Sequence, residues 1–550
     1  ARLELALGPE AALRRLRLVQ LGEDRRWQPN TPLLQRPAFV PDAVQGFLAG
    51  RPVVGEAYPP GAVTHETDGP RPETLVLHDG ARLGRLLGAL ARREDDAPIV
   101  LVGPLGSGRR TVARAHALAT GRTMFRVDLA TLPWDLEGFE HQLSAAMRDG
   151  LLAGAVVLLR CEGFEERSDR RPTVLGRLMR TMRVPLVLTV TPDALPQVVR
   201  VLGDAHVVEL NDGTVETRGR LYAHLFRHHG YTVPAAELTG LVDTYKLRPG
   251  DLDRALRDVQ VSTGRAGGAL SHDHFDLAVR RQIRTNLAAL ATPVQTTQRW
   301  DDLIVSDEQM EVIHEILAHA RHRTQVFEEW GFARKLGSRG RGLSCLFAGP
   351  PGTGKTMTAS LIANELGLDL YQVDLSRIVD KYVGETEKNL ARLFDEASRV
   401  PVVLLFDEAD SLFAARTKVE SSNDRYANLE VNFLLQRMET YEGISILTTN
   451  LGTGIDQAFK RRLRFRLHFD LPRPEEREVL WRSMVPPGCT VADDVDWGFL
   501  ARRWEMSGAL IRNAVVRAAF LAAARGTVVT NDLLRAAAKS ELMEMGRLGS

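Results

Sequence analysis

The stretch Gly349-Pro350-Pro351-Gly352-Thr353-Gly354-Lys355-Thr356 constrains what this chain can fold into more than any other part of it. The apolar run Leu343-Ser344-Cys345-Leu346-Phe347-Ala348 leads into it, and a helix-like stretch opening on Met357 leads out. A strand, a glycine-rich turn and a helix in that order make a cradle for phosphate. The glycines let successive backbone N–H groups converge on one anion, and the helix adds the positive end of its dipole. In such a cradle Lys355 reaches the β- and γ-phosphates of a nucleotide, and the Thr356 hydroxyl holds Mg²⁺. Residues 349–357 are therefore the candidate nucleotide contacts, with ATP and Mg²⁺ as the expected ligands.

The signal recurs in degenerate form. Pro98-Ile99-Val100-Leu101-Val102 leads into Gly103-Pro104-Leu105-Gly106-Ser107-Gly108-Arg109-Arg110, displaced by 246 residues from the first motif (103 to 349). The same displacement lays Phe125-Arg126-Val127-Asp128-Leu129 on Tyr371-Gln372-Val373-Asp374-Leu375, and Val156-Val157-Leu158-Leu159 on Val402-Val403-Leu404-Leu405. Apolar runs kept in register mark an internal duplication, hence two α/β modules with largely parallel sheets. A helical segment follows each, Thr214 to Ile283 and Pro472 to Met545, and reads as a lid; Ala514 to Ala523 has the spacing of a buried helix. The expected division is a helical or winged-helix remnant over 1–51, a linker over 52–73, a first large subdomain over 74–213 and its lid over 214–290. A second linker over 291–299, a second large subdomain over 300–471 and a second lid over 472–550 complete it. Within the remnant, helices are expected near 11–18 and 40–48, in a packing role. Opening on Ala1 in apparent mid-helix, the chain reads as part of a longer one.

Charge and cysteine content limit the partners. With 71 basic and 70 acidic residues the net charge is +1, which supplies no field to attract nucleic acid or an anionic membrane. Cys161, Cys345 and Cys489 are far apart, so neither a disulfide framework nor a zinc site is expected and a reducing, cytoplasmic compartment fits. No run reaches the ~18 apolar residues of a membrane span, and the first residues are no signal peptide.

In the second module the strand-like Val402 to Phe406 ends in Asp407-Glu408-Ala409-Asp410, at the strand end where α/β sheets collect ligands. Asp407 is the candidate metal ligand and Glu408 the candidate general base for water. A further apolar run, Ile446-Leu447-Thr448-Thr449, ends in Asn450, a candidate sensor that positions water against the γ-phosphate.

Together these motifs resemble the AAA subgroup of AAA+ ATPases, over about 300–550 with specific motifs and over about 74–290 as a degenerate copy. The resemblance implies two P-loop NTPase modules, each a parallel sheet between helices followed by a helical lid, and a homohexameric ring. It implies that Arg461 and Arg464, separated by Arg462-Leu463 where the family has Pro-Gly, act as fingers in a neighbour's site. Tyr382-Val383-Gly384 fall on the family's first pore loop, which grips an extended polypeptide. Gly508 and Ala509 fall on the lid motif that closes over the nucleotide, while the Arg of that motif is expected one position before Arg512, whose contact stays open. The first module lacks the machinery: Arg109 stands opposite Lys355, Arg110 opposite Thr356, Cys161 opposite Asp407, Thr191 opposite Asn450 and Leu136 opposite Tyr382, while Glu162 matches Glu408. Leu202 and Ala205 take the finger positions. The expected function is ATP-driven threading or remodelling of a protein substrate, with a silent, structural first module that can still hold a nucleotide through Arg109. A nucleic-acid motor or loader and a nucleotide-dependent assembly scaffold are the alternatives; against the loader, Lys381 and Lys388 around Tyr382 are matched by Asp380, Glu385 and Glu387. The run Asn423 to Asn432 is similar to bacterial AAA proteins encoded beside contractile injection systems.

Overall fold

A computed structural model of the chain describes residues 11–21, 38–51, 58–71, 75–76, 80–92, 95, 97–162, 164, 169–264, 267–332, 335, 342–375, 385–410, 422–450 and 461–544. The chain divides into two compact units, Ala1–Asp243 with Leu247–Ala278, and Thr244–Lys246 with Val279–Ser550.

Each unit is built on a six-stranded sheet. The first holds β1 (Val63–Glu66), β2 (Ile99–Val102), β3 (Met124–Asp128), β4 (Val156–Arg160), β5 (Leu186–Val190) and β6 (His206–Glu209) in the order 1-3-4-5-2-6. The second holds β7 (Ala291–Val294), β8 (Leu343–Ala348), β9 (Asp369–Val373), β10 (Val402–Phe406), β11 (Ile444–Thr449) and β12 (Phe465–His468) in the order 7-9-10-11-8-12. The two orders are the same, so the duplication legible in three apolar runs extends to the whole sheet. Every pairing is parallel except at the β1 and β7 edges. Parallel strands are covered by helices on both faces and so read as continuous apolar runs. All five residues of β10 are buried.

Those two edge strands fall inside the stretches expected as linkers. Val63–Glu66, inside 52–73, pairs antiparallel with β3, and Ala291–Val294, inside 291–299, pairs antiparallel with β9. Each is short, and β7 contains Pro293, which a sheet accepts only where no ladder N–H is needed, as on an edge. Glu66 is 8% exposed and receives Arg110 at 2.6 Å and Arg114 at 3.2 Å, which ties the edge strand to helix α1 (Arg109–Ala119).

At the N-terminus the expected helix over 11–18 is confined to Ala12–Arg15, and Asp42–Leu48 forms the second. Between them Gln20–Leu21 pairs antiparallel with Ala38–Phe39. Leu16 packs against the core of the first sheet and Arg17 pairs with Glu140 at 3.1 Å.

Helix α2 (Leu136–Leu152) follows β3, α3 (Lys355–Glu365) follows β8, and α4 (Glu385–Ala397) lies between β9 and β10. The second lid comprises Pro474–Ser483, Trp497–Arg503, α5 (Gly508–Arg525) and Asn531–Glu544 around a core of its own that includes Trp481, Ile511 and Leu534. The expected buried helix within α5 is buried on one face only: Ala514, Val515 and Ala518 face the core, whereas Phe520 is 74% exposed.

Leu405 in β10 is completely buried between helices. Its replacement by Ala is expected to lower the stability of the second unit by ~2–5 kcal/mol through lost transfer energy and a residual cavity, measured by urea unfolding.

Candidate functional site

The turn after β8 depends on backbone that only glycine adopts at low cost. Gly349 has φ 148°, and a Cβ there would stand 2.0 Å from the Phe469 carbonyl oxygen. Gly352 has φ 76°, and a Cβ there would meet the Ala509 methyl at 2.5 Å. The loop is thereby pressed against β12 on one side and against the lid on the other, where the Ala509 N–H donates to the Gly352 carbonyl (3.2 Å).

Lys355 opens α3 and is buried. Its Nζ donates to the carbonyls of Gly349 (2.7 Å) and Pro350 (2.8 Å) and to Asn450 Oδ1 (3.0 Å), so all three ammonium protons are satisfied. Burial pulls the ammonium below its usual range, and the carboxylates of Asp410, Asp407 and Glu408 oppose that pull. Next to it, Thr356 Oγ1 donates to Asp407 Oδ1 (3.1 Å). Asp407 also accepts from Gln372 Nε2 (3.1 Å) and from the Thr448 hydroxyl.

Glu408 follows with φ 52°, a left-handed backbone that costs a non-glycine residue ~1–3 kcal/mol and persists where the surroundings impose it. Here the Glu408 N–H donates to Thr448 Oγ1 (3.0 Å), and the residue is exposed. Asp410, to which the sequence reading gave no role, fixes Asn450. It accepts from the Asn450 backbone N–H (2.9 Å), from Asn450 Nδ2 (2.9 Å) and from the Thr449 hydroxyl. With its amide nitrogen committed to Asp410, Asn450 presents Oδ1 to Lys355.

These groups open onto a cleft of about 940 Å³ shared by the sheet and the lid. Pro351, Gly352, Thr353, Gly354, Lys355, Thr356, Met357, Asp407, Glu408, Asn450, Gly508 and Ala509 line it, and so does Arg512, whose contact the sequence left open. Gly349 and Pro350 stand behind it, as carbonyl acceptors for Lys355. An apolar wall that sequence reasoning missed comes from Leu303, Ile304, Val305, Leu480 and Met484. The only signal for it was a short apolar run just before the helix Asp307–Arg321. A cleft with a polar end and an apolar end suits a ligand that joins phosphates to a flat base. The donor set at the polar end fits Mg²⁺, which takes one or two protein oxygens and completes its shell with phosphate and water. Thr356 and Asp407 would supply those oxygens. Among the described residues no group of three or more His, Cys, Asp or Glu side chains is arranged to hold a metal by itself.

Arg461 and Arg464 are exposed, and neither lines this cleft. The Arg464 backbone N–H donates to the Ser344 carbonyl (3.0 Å), and its guanidinium lies 6.0 Å from the centre of the Phe327 ring. Tyr382, Val383 and Gly384 lie outside the described residues.

The first unit keeps the backbone and changes the charges. Gly106 has φ 81°, and the Gly250 N–H donates to its carbonyl (2.9 Å), as Ala509 does to Gly352. Where Lys355 faces a cleft, buried Arg109 is closed on Glu162 (3.0 Å). Burial lowers the Arg109 pKa and Glu162 counters it. Arg110 is engaged with Glu66, and burial pushes the Cys161 thiol far up, leaving no hydroxyl and carboxylate pair for Mg²⁺ at these positions.

Residues 345–473 match the family described as ATPase family associated with various cellular activities (AAA). An uncharacterized AAA family ATPase, y4kL, of Sinorhizobium fredii is 43% identical over 129 residues, covering 23% of this chain and 38% of that protein. Proteasome-activating nucleotidase of Methanopyrus kandleri is 30% identical over 251 residues, covering 43% and 55%. Vacuolar protein sorting-associated protein 4 of Dictyostelium discoideum is 28% identical over 269 residues, covering 46% and 58%. The chain thus spans well under two thirds of the length of these relatives. With the geometry of its glycine turn, Lys355 and the Asp407 cluster, the matched segment, residues 345–473, is identified as an AAA family ATPase domain within the second unit.

Proposed function

We propose that the chain hydrolyses ATP in its second module and uses the energy to thread or remodel a protein substrate. The observation that carries this reading is the Lys355 ammonium held by Gly349, Pro350 and Asn450 at the head of a cleft that also contains the Thr356–Asp407 pair. Thr356 and Asp407 would hold Mg²⁺, which would supply positive charge beside the phosphates of ATP. Lys355 gives up its carbonyl partners for phosphate oxygens, Glu408 takes the proton from the attacking water, and Asn450, oriented by Asp410, positions that water. The apolar wall from Leu303 to Val305 with Leu480 and Met484 receives the base.

Arg461 and Arg464 act on a second copy of the chain, which supports a ring, a homohexamer in this reading. Their exposure and their absence from the lining of their own cleft favour action in trans. A protein substrate is supported by relatives whose names refer to proteasome activation and to protein sorting. Tyr382, Val383 and Gly384 are the proposed grip. The first module is silent because Arg109, Arg110 and Cys161 replace the groups that bind phosphate and metal. No described helix is long and apolar enough to cross a membrane, and all three cysteines are free, which agrees with work in the cytoplasm. The run 423–432, on the helix Ser422–Thr440, supports a place beside a contractile injection machine.

Two substitutions separate binding from turnover. Lys355→Ala is expected to weaken ATP binding about 10- to 100-fold, the worth of a charge-assisted hydrogen bond to phosphate. Glu408→Gln should bind ATP normally and lose about 10²–10⁴ in turnover, as expected for removal of a general base. Equilibrium binding of a fluorescent ATP analogue and phosphate release read the two effects. If Glu408→Gln hydrolyses ATP at the parent rate, the assignment of the base is wrong. A third substitution, Asp410→Ala, frees Asn450 and should lower turnover about 10- to 100-fold with ATP affinity changed little, the expected result of losing orientation and not contact. Steady-state kinetics showing a raised KM at unchanged kcat would contradict that role.

A further inference from the structure

A buried hydroxyl in the second unit touches both acidic residues assigned to the chemistry and has no part in the proposed steps. Thr448 belongs to β11, the strand between β10, which leads into Asp407, and β8, which leads into the glycine turn. It is 1% exposed and reaches the wall of the cleft. Its Oγ1 accepts from the Glu408 N–H (3.0 Å), and its single proton is donated to Asp407 Oδ1. Its carbonyl accepts from the Ala409 N–H (2.9 Å). One residue thus holds 407, 408 and 409 in turn.

The two side-chain contacts do different things. Asp407 accepts from Thr356 (3.1 and 3.3 Å), from Gln372 on Oδ2 (3.1 Å) and from Thr448 on Oδ1. Thr356 is itself a group that would hold Mg²⁺, so Thr448 and Gln372 are the donors that fix one oxygen each and set the plane of the carboxylate. Partners of this kind orient a ligating carboxylate, and their loss typically costs about 10- to 100-fold in metal affinity or activity. At Glu408 the contact is to the backbone of a residue with φ 52°, a conformation that survives where neighbours impose it. Without that acceptor the backbone can relax, and the carboxylate moves with it.

We infer that Thr448 is a positioning residue for ATP hydrolysis: its hydroxyl sets the Asp407 carboxylate for Mg²⁺ and the Glu408 backbone for the attacking water. The inference rests on the reading of the second cleft as an Mg²⁺–ATP site. The competing explanation is packing, because β-branched residues suit strands. Packing asks position 448 for a branched shape, whereas positioning asks it for an oxygen. The first unit supplies a comparison. Thr189 stands two residues before Thr191, as Thr448 stands two before Asn450, and is also buried. Its hydroxyl goes instead to the Glu162 side chain (3.4 Å), which is closed on Arg109. Glu162 is not among the non-glycine residues with positive φ, whereas Glu408 is. The strained residue and the hydroxyl that bridges two acidic positions therefore occur together, in the unit that carries the chemistry.

The test uses the full chain with Thr448→Val, which keeps the shape and removes the oxygen, and with Thr448→Ser, which keeps the oxygen. Thr448→Ala, read in the same way, serves if Thr448→Val does not fold. Binding of a fluorescent ATP analogue is followed in the Glu408→Gln background, whose main-chain N–H is unaltered, as Mg²⁺ is raised from zero. The Mg²⁺ concentration for half the gain in affinity should rise about tenfold in Thr448→Val, with affinity in the absence of Mg²⁺ unchanged. In the otherwise unmodified chain at saturating Mg²⁺, kcat should fall about 10- to 100-fold with KM for ATP little changed, the result of a misdirected base. Thr448→Ser should restore most of both. Thr448→Val equal to the parent in both measurements, or Thr448→Ser as impaired as Thr448→Val, would overturn the inference alone. A kcat fully recovered by further Mg²⁺ would overturn its claim on Glu408. If the parent chain with Thr448 intact binds the analogue no better with Mg²⁺ and releases no phosphate, the reading of the cleft fails and this inference falls with it.

Discussion

Everything in the second module is arranged so that one buried ammonium can stand at the mouth of a parallel sheet. Lys355 loses hydration when α3 packs against the sheet, and an ammonium in that position persists only if oxygens replace the lost water. The Gly349 and Pro350 carbonyls do so because the glycine turn aims them inward, and Asn450 does so because Asp410 holds its amide. Burial pulls the ammonium below its usual range, and three carboxylates, on Asp410, Asp407 and Glu408, oppose that pull. The side chain is thus poised to exchange those oxygens for those of a phosphate at little reorganisation.

The first unit shows the consequence of changing the charges while keeping the backbone. Its strand order is the same and its lid touches the corresponding glycine, yet its cation is closed on Glu162. An Arg already paired with a carboxylate has less to gain from a phosphate than a lysine resting on neutral carbonyls. The proposed division of labour follows: one cradle is built to exchange ligands, the other to hold a shape.

The features legible in the sequence are those encoded by local order. The glycine turn with its flanking apolar runs located the cradle, and constant displacement exposed the duplicated strands. Asp407 and Glu408 could be placed because a strand end sets where they emerge. What stayed hidden depends on contacts distant in sequence. Val63–Glu66 and Ala291–Val294 lack apolar periodicity and become strands only because a sheet edge is available to pair with them. Asp410 could be seen in the Asp-Glu-Ala-Asp run, but not its grip on Asn450, 40 residues on. The apolar wall joins 303–305 to Leu480 and Met484 across more than a hundred residues.

The central claim, one exchanging cradle and one closed on itself, is tested most directly by the number of ATP molecules bound per chain. With Mg²⁺ and the Glu408→Gln variant to prevent turnover, equilibrium dialysis should give a single ATP per chain, lost when Lys355→Ala is added. Two ATP per chain, or binding that survives Lys355→Ala at the same concentrations, would show that the Arg109 cradle also takes nucleotide and would contradict the account.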